Sequence, residues 1–434
     1  MQSKTRILGL LACSSFLIFN AYGQGTTGHS PYSRFGLGDL FPQGGSRSWA
    51  MGETGVASPS DDNINVLNPA LLPYNRVTNF QVDAYWQRKK LSSNSDNQKA
   101  TGGGLSNLMF SFPITRKVTM AMGLTPYSST EYSVTSFKKI ETDPDTSYGY
   151  YTYKGSGSLS KVFLSGGVQV TKGLSLGLQA SYLMGTLTNE STVQVYPVQD
   201  NSIYAVNKSV RYSRVLLMPS FAYKATLDTT SKLFLCVGAT AELGANDAKA
   251  STSTYVLQYS GAGNQFGEED TLEYESKRPV SLPATYRFGV GLGVPRKWKL
   301  AADFALTDWS QLKTPNGGGN DLRKSYATGF GGEWTPNYNK AGYLNKITYR
   351  AGVRYQQTPI EISGQRINDM YVSFGASLPV FRKEAKFSYP LINVALQAGQ
   401  RGTTGGSAIK ENYFRVSLGF ILNDNLWFSR YKID

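Results

Sequence analysis

The sequence predicts an all-β protein: a fourteen-stranded antiparallel transmembrane β-barrel with an N-terminal hatch or plug segment in its lumen. Three observations carry the prediction. An export signal opens the chain and no membrane-spanning helix follows it. Period-2 alternation runs from about residue 77 to the C-terminus. The connections between the alternating segments are short and long in turn.

Lys4 and Arg6 precede an apolar run from Ile7 to Phe19, and Ala21-Tyr22-Gly23 offers a small-x-small cleavage site. That is the three-part pattern of a secretory signal peptide, and the run is too short to remain as a spanning helix. Leu10-Leu11-Ala12-Cys13 resembles a lipobox, but apolar residues continue past Cys13 to Phe19, which favours processing near Gly23. The expected organisation is therefore a signal peptide over 1–23, a hatch segment over 24–76 and a barrel over 77–434. After Phe19 no apolar stretch of about 18 residues occurs. An exported chain without such a helix can still be integral to a membrane as a closed barrel, in which every main-chain polar group is paired.

Only 17% of the 434 residues are charged, 13% are aromatic, and Tyr (28) outnumbers Phe (21). The formal charge of +14 could suggest nucleic acid, but the Lys and Arg residues are dispersed and form no recognisable module, which argues against that partner. Cys13 leaves with the signal, so Cys236 has no cysteine to pair with. His29, the one histidine, sits in the N-terminal tail. A Ser/His/Asp or Cys/His catalytic system, or a His/Cys metal site, would have to be built around it. The expectation is a protein that is not an enzyme and holds no cofactor or metal.

The alternation is explicit. Leu174, Leu176, Leu178, Ala180 and Tyr182 share one face, and Ser175, Gly177, Gln179 and Ser181 the other. Tyr286, Phe288, Val290, Leu292 and Val294 oppose Arg287, Gly289, Gly291 and Gly293. Phe414, Val416, Leu418, Phe420 and Leu422 oppose Tyr413, Arg415, Ser417 and Gly419. The segments read as about 10–12 residues, long enough to cross a bilayer at a tilt, whereas sandwich strands average about five or six. Fourteen strands are expected, centred near residues 82, 109, 122, 165, 181, 217, 238, 289, 303, 329, 351, 374, 393 and 416. Short turns fall near 116–117, 172–173, 228–231, 296–297, 337–344 and 382–385. Long loops cover about 88–103, 129–158, 190–208, 246–283, 310–323, 358–368 and 401–411. With the first 76 residues starting in the periplasm, every short turn and both termini are periplasmic, the arrangement of an outer-membrane barrel.

Alternation points Asp83, Glu242, Asp303 and Glu333 inward, together with Arg287, Arg350, Arg354 and Arg415. On the lipid face an Arg or Lys would cost about 2–4 kcal/mol near the midplane, so the lumen is the comfortable place for such charges. There they either select a ligand with a carboxylate head or, as the favoured reading, pair with one another and with the hatch. Cys236 falls on the same face, as a small buried residue. The loop over 246–283 carries Glu268, Glu269, Asp270, Glu273 and Glu275 without EF-hand spacing. A solvated acidic loop is favoured over a calcium site. Tyr148, Tyr150, Tyr151 and Tyr153 read as girdle or loop-packing residues at the mouth of a long loop.

Residues 28–76 differ from the rest. They read Ser30-Pro31-Tyr32-Ser33-Arg34-Phe35-Gly36-Leu37-Gly38-Asp39, then Met51-Gly52-Glu53-Thr54-Gly55-Val56-Ala57, Asp61-Asp62 and Asn68-Pro69-Ala70-Leu71. A short helix is possible over 48–58, and a stretch of this length without regular structure suggests function. The MG-x-x-GVA segment, the Asp pair and the Asn68-Pro69-Ala70 motif resemble the FadL/OmpP1 family. The SPYSRFGLGD opening and the closing Leu426-Trp427-Phe428-Ser429-Arg430-Tyr431-Lys432 resemble its Bacteroidetes branch, with the type IX secretion attachment barrel as a similar protein. Leu71-Leu72 departs from the pattern, where a Gly commonly follows. The resemblance implies passive uptake of a hydrophobic ligand across the cell outer membrane, with membrane lipid as surroundings. The alternative it implies is a partner barrel of other outer-membrane proteins in a secretion or assembly complex. A transporter should show an apolar pocket between hatch and wall and a strand kink, for which Pro219, Pro283 and Pro390 are candidate positions. A partner barrel should instead show an apolar or strongly shaped patch outside the lipid band.

Overall fold

A strand in lipid must offer apolar side chains on its outer face and pair all of its main-chain groups with neighbours. The computed structural model follows that rule around a complete ring. It describes residues 28–424 apart from 94–95, 142–145, 197–202, 245–247, 260–265, 316, 319–320, 339–341, 381–387 and 406–407. The signal peptide, the turn at 382–385 and the closing Leu426–Lys432 segment lie wholly or largely outside the described residues.

Fourteen antiparallel strands form the barrel. They are β1 (Thr78–Ser92), β2 (Asn97–Pro113), β3 (Val118–Ser129), β4 (Thr146–Gln169), β5 (Leu174–Tyr196), β6 (Ile203–Asp228) and β7 (Leu233–Gly244), then β8 (Thr285–Val294), β9 (Trp298–Asp308), β10 (Lys324–Trp334), β11 (Thr348–Ile362), β12 (Gln365–Pro379), β13 (Ser388–Arg401) and β14 (Lys410–Asp424). Each expected centre falls within one of these strands. The ring closes between β1 and β14, from Thr78 opposite Asp424 to Ser92 opposite Lys410. Pairing along this seam leaves neither terminal strand of the barrel with a free edge.

The outer face carries the apolar band. On β5 it runs through Leu176, Leu178, Tyr182 and Met184, and on β6 through Val215, Leu217, Phe221 and Tyr223, all exposed. Above Met184 the outward residues of β5 turn polar, and above Val215 those of β6 become Ser213 and Arg211.

Two expectations are corrected here. The strands are not uniformly 10–12 residues long: β8 has 10 and β6 has 26. Much of what read as long loops is strand. Tyr132–Glu141, the upper halves of β4, β5 and β6, Ala248–Tyr259 and Phe266–Val280 pair side by side into one antiparallel sheet of six strands. The lower part of one face buries Leu187, Val210, Tyr212 and Ala250 in a cluster with Tyr32 and Leu37; beyond it hydropathy loses its period while main-chain pairing continues. The four tyrosines near 150 belong to this sheet rather than to an interfacial girdle. The second correction is the short helix, which shrinks to one turn, Ser46–Trp49, ahead of Gly52 in a left-handed conformation (φ 64°).

Among the described residues the wall is split between β2 and β3. β2 and β3 pair only from Pro113–Thr119 to Leu108–Leu124. Beyond that β3 bends away, with Tyr127 bulged between Pro126 and Ser128. Its Ser128 and Ser129 pair instead with a two-residue strand, Asp39–Leu40.

Candidate functional site

Residues 28–77 occupy the barrel interior. Their main chain touches inward-facing glycines on opposite sides of the ring. A Cβ at Gly331 or Gly352 would run into Met51, at Gly238 or Gly291 into Val56 or Ala57, and at Gly167 or Gly177 into Pro69 or Ala70. Side chains are absent there because the backbone of the segment takes their space.

The Asn68-Pro69-Ala70 motif builds one anchor. Asn68 caps the 3-10 helix Pro69–Tyr74, its Oδ1 accepting from Ala70 N at 3.0 Å. Pro at the first helical position has no N–H to satisfy. The Asn68 amide donates to the carbonyl of Val56 at 2.7 Å and to that of Phe221 in β6 at 3.0 Å, and Ala70 N also donates to Ser220 Oγ. One side chain thus ties two parts of the segment to the wall.

Each inward charge named from the alternation meets the segment or another charge. Asp83 Oδ1 accepts from Ser46 Oγ at 2.6 Å. Asp303 Oδ2 accepts from Gly55 N at 2.7 Å and Val56 N at 2.8 Å. Glu333 receives Arg47 and Arg350 at 3.1 Å each and Lys299 at 2.7 Å. Arg354 lies 3.3 Å from Glu53, which also accepts from Tyr371 Oη. Glu242 pairs with Lys161 at 2.8 Å and Arg287 at 3.4 Å. Arg415 donates to Gln87 and Gln397 and stacks 5.4 Å above the Trp49 ring. Cys236 is buried among Ala57, Ala70, Leu71 and Phe234.

Sequence reasoning missed the segment's own charges. Asp39 lies 2.7 Å from Arg401 and 3.4 Å from Lys89. Burial opposes its ionisation, but the Arg401 and Lys89 charges outweigh that cost and hold the carboxyl down to about 2. Lys89 shares the phase of Asp83 on β1 and could have been named. Asp39, Arg47 and Glu53 lie where no period exists to read.

Between the segment and the long-loop end lies a cavity of about 220 Å³. Its lining combines the charges of Asp39, Glu53, Lys89, Arg354, Arg401 and Glu411 with the apolar side chains of Phe35, Leu37, Phe304, Trp309, Leu322 and Ile360. His29, expected in a free tail, lies 3.3 Å from Glu131 at the same end. In the acidic stretch Glu273 pairs with Arg278 at 2.6 Å, and the side chains of Glu268 and Glu269 lie outside the described residues. Among the described residues no three His, Cys, Asp or Glu side chains form a metal-ligating group.

Ring closure, the apolar band and the occupied lumen define a closed fourteen-stranded antiparallel barrel that holds its own N-terminal segment. The family model for BamG matches residues 4–434, and the chain belongs to the BamG family. Among solved structures it is similar to the CymD monoaromatic hydrocarbon channel, with TM-score 0.58 and 14% identity over 89% of this chain and 97% of that one. A Pseudomonas aeruginosa FadL homologue gives 0.57 and 13% over 89% and 98%. The Ralstonia pickettii toluene transporter TbuX gives 0.54 and 14% over 88% and 99%. At these identities the likeness shows the fold alone. No curated protein matches the chain.

Proposed function

We propose that this protein is a sealed barrel subunit of an outer-membrane assembly complex. In this reading residues 1–23 direct export, the short turns and both termini face the periplasm, and residues 24–76 act as a permanent plug. The observation that carries it is the six-stranded sheet standing beyond the lipid-facing band. From Leu187 to Tyr196 the β5 strand alone rises roughly 30 Å along its length. Phe137, Tyr148 and Tyr150 are exposed on one face of the sheet, and Tyr153, Tyr204 and Val206 on the other. Exposed apolar side chains that no lipid can cover mark a surface for another protein. The ion pairs between segment and wall support the same reading, because they hold the segment in place. The family name hints at assembly, and the opening and closing motifs resemble the Bacteroidetes branch, in which partner barrels occur.

Gentle detergent extraction from native outer membranes, followed by affinity capture and mass spectrometry, tests the proposal. Stoichiometric outer-membrane partners, lost when Phe137, Tyr150 and Tyr204 are replaced by Ser, are the expected result. A barrel that purifies alone would sink it.

One observation favours a second reading, passive uptake of hydrophobic molecules: the split between β2 and β3, a place where an apolar solute could leave sideways into lipid. Toluene entry into vesicles carrying the purified barrel would support that alternative.

A further inference from the structure

The short-turn end of the barrel holds a second cavity, of about 530 Å³, between residues 59–62 and 74–77 of the segment and the lower wall. Among the described residues that line it, the cations outnumber the carboxylates. Arg47, Lys299 and Arg350 converge on the single carboxylate of Glu333, and all four side chains are largely buried. Asp61 is taken by Arg296 at 2.9 Å; Asp62, which accepts from Ser60 and Asn63, adds a second negative charge facing Lys299 and Arg350. Lys224 adds another cation. Its ammonium lies 5.0 Å above the Tyr74 ring and 4.5 Å above that of Phe234, and no carboxylate of the described residues is within ion-pair distance. Lys299 also donates to the Pro59 carbonyl, so its ammonium is fixed in place rather than free to swing into solvent.

Positive charge held out of water without an equal number of carboxylates is costly, and an incoming anion relieves the cost. We infer that this cavity binds a carboxylate-rich segment of a polypeptide. The barrel wall separates the site from lipid headgroups. Its volume exceeds that of a single small anion, and Tyr74, Phe234 and Tyr389 among its lining residues supply apolar contact beside the cations. The site lies at the opposite end from the projecting sheet and stands independently of what that sheet binds.

The test uses the full chain in detergent micelles and a fluorescently labelled Glu/Asp-rich pentapeptide containing one Trp, with its Gln/Asn counterpart as control. The acidic peptide binds and the neutral one does not. Lys224→Glu weakens binding by about tenfold or more, as expected when one cation of a partly desolvated charge pair is reversed. Lys172→Glu, a reversal on an exposed turn outside the cavity, leaves it unchanged, and heat-modifiable migration of both variants shows that the barrel is intact. Equal binding of the two peptides, an unaffected Lys224→Glu, or full displacement by millimolar inorganic phosphate would overturn the assignment.

Discussion

Arg354 of β11 and Glu53 of the N-terminal segment meet at 3.3 Å, and both side chains are more than four-fifths buried. Glu53 sits there with φ 60°, a left-handed conformation that a non-glycine residue adopts at a cost, and Gly52 beside it has φ 64°. The turn that follows Met51 is thus held in an unfavourable shape by contacts with the wall. Breaking a buried pair by removing one partner leaves an uncompensated charge and typically costs about 3–5 kcal/mol. Arg354→Ala should release this turn, raising ion conductance in planar bilayers and exposing residues 50–57 to protease. A quiet channel with protected residues would show that the other anchors suffice.

Glu333 and Arg350 are unequal partners. Removing Arg350 leaves Glu333 with Arg47 and Lys299, whereas removing the carboxylate leaves three cations facing one another. Glu333→Gln should therefore raise conductance more than Arg350→Ala. The comparison is made in paired bilayer recordings, and a larger effect from Arg350→Ala would contradict the assigned geometry.

The glycine seat makes a steric prediction. A side chain at Gly352 has no space beside Met51, while one at Gly166 meets nothing within 4 Å. Gly352→Val should cost about 1–3 kcal/mol by overpacking and displace the segment. Gly166→Ala should fold and conduct like the parent. Thermal unfolding and conductance of the two variants decide the matter.

Asp39 predicts how acid loosens the segment. Its carboxyl is held below the ordinary 3.8, at about 2, so it stabilises the folded state above the unfolded value. That contribution is lost as pH falls from about 4 to 2. The shift corresponds to about 2 kcal/mol at neutral pH. Asp39→Asn should remove this part of the acid dependence, read as protease access to residues 28–45 across the same pH window. A variant as acid-sensitive as the parent would show that Asp39 is not the responsible group.

What was legible in the sequence was what lipid imposes. The bilayer fixes the outer face of every strand, so the fourteen centres and the inward phase of residues such as Asp303 and Arg354 could be read from alternation. The partners of those charges could not. Asp303 binds main-chain N–H groups at Gly55 and Val56, and no side-chain pattern announces a backbone donor. Gly289, Gly291 and Gly293 were visible as small inward residues. That Val56 and Ala57 lie against the first two emerges only from tertiary structure. The six-stranded sheet escaped for the opposite reason: beyond the buried Leu187, Thr188 to Val195 carry strand-forming residues but no hydropathy period.

The split between β2 and β3 bears on how the barrel is made. Asp39 and Leu40 pair with Ser129 and Ser128, Phe41 N donates to the Tyr127 carbonyl, and Ser30 N donates to that of Glu131. One edge of this end of β3 therefore depends for its main-chain partners on residues that precede the first strand, while the other pairs with Ser158 and Leu159 of β4. Deleting residues 28–41 would not simply open a pore; it would strip hydrogen-bond partners from a bent strand end. The N-terminal segment thus takes the place of β2 beside this end of β3, so it is a piece of the wall as well as the filling of the lumen.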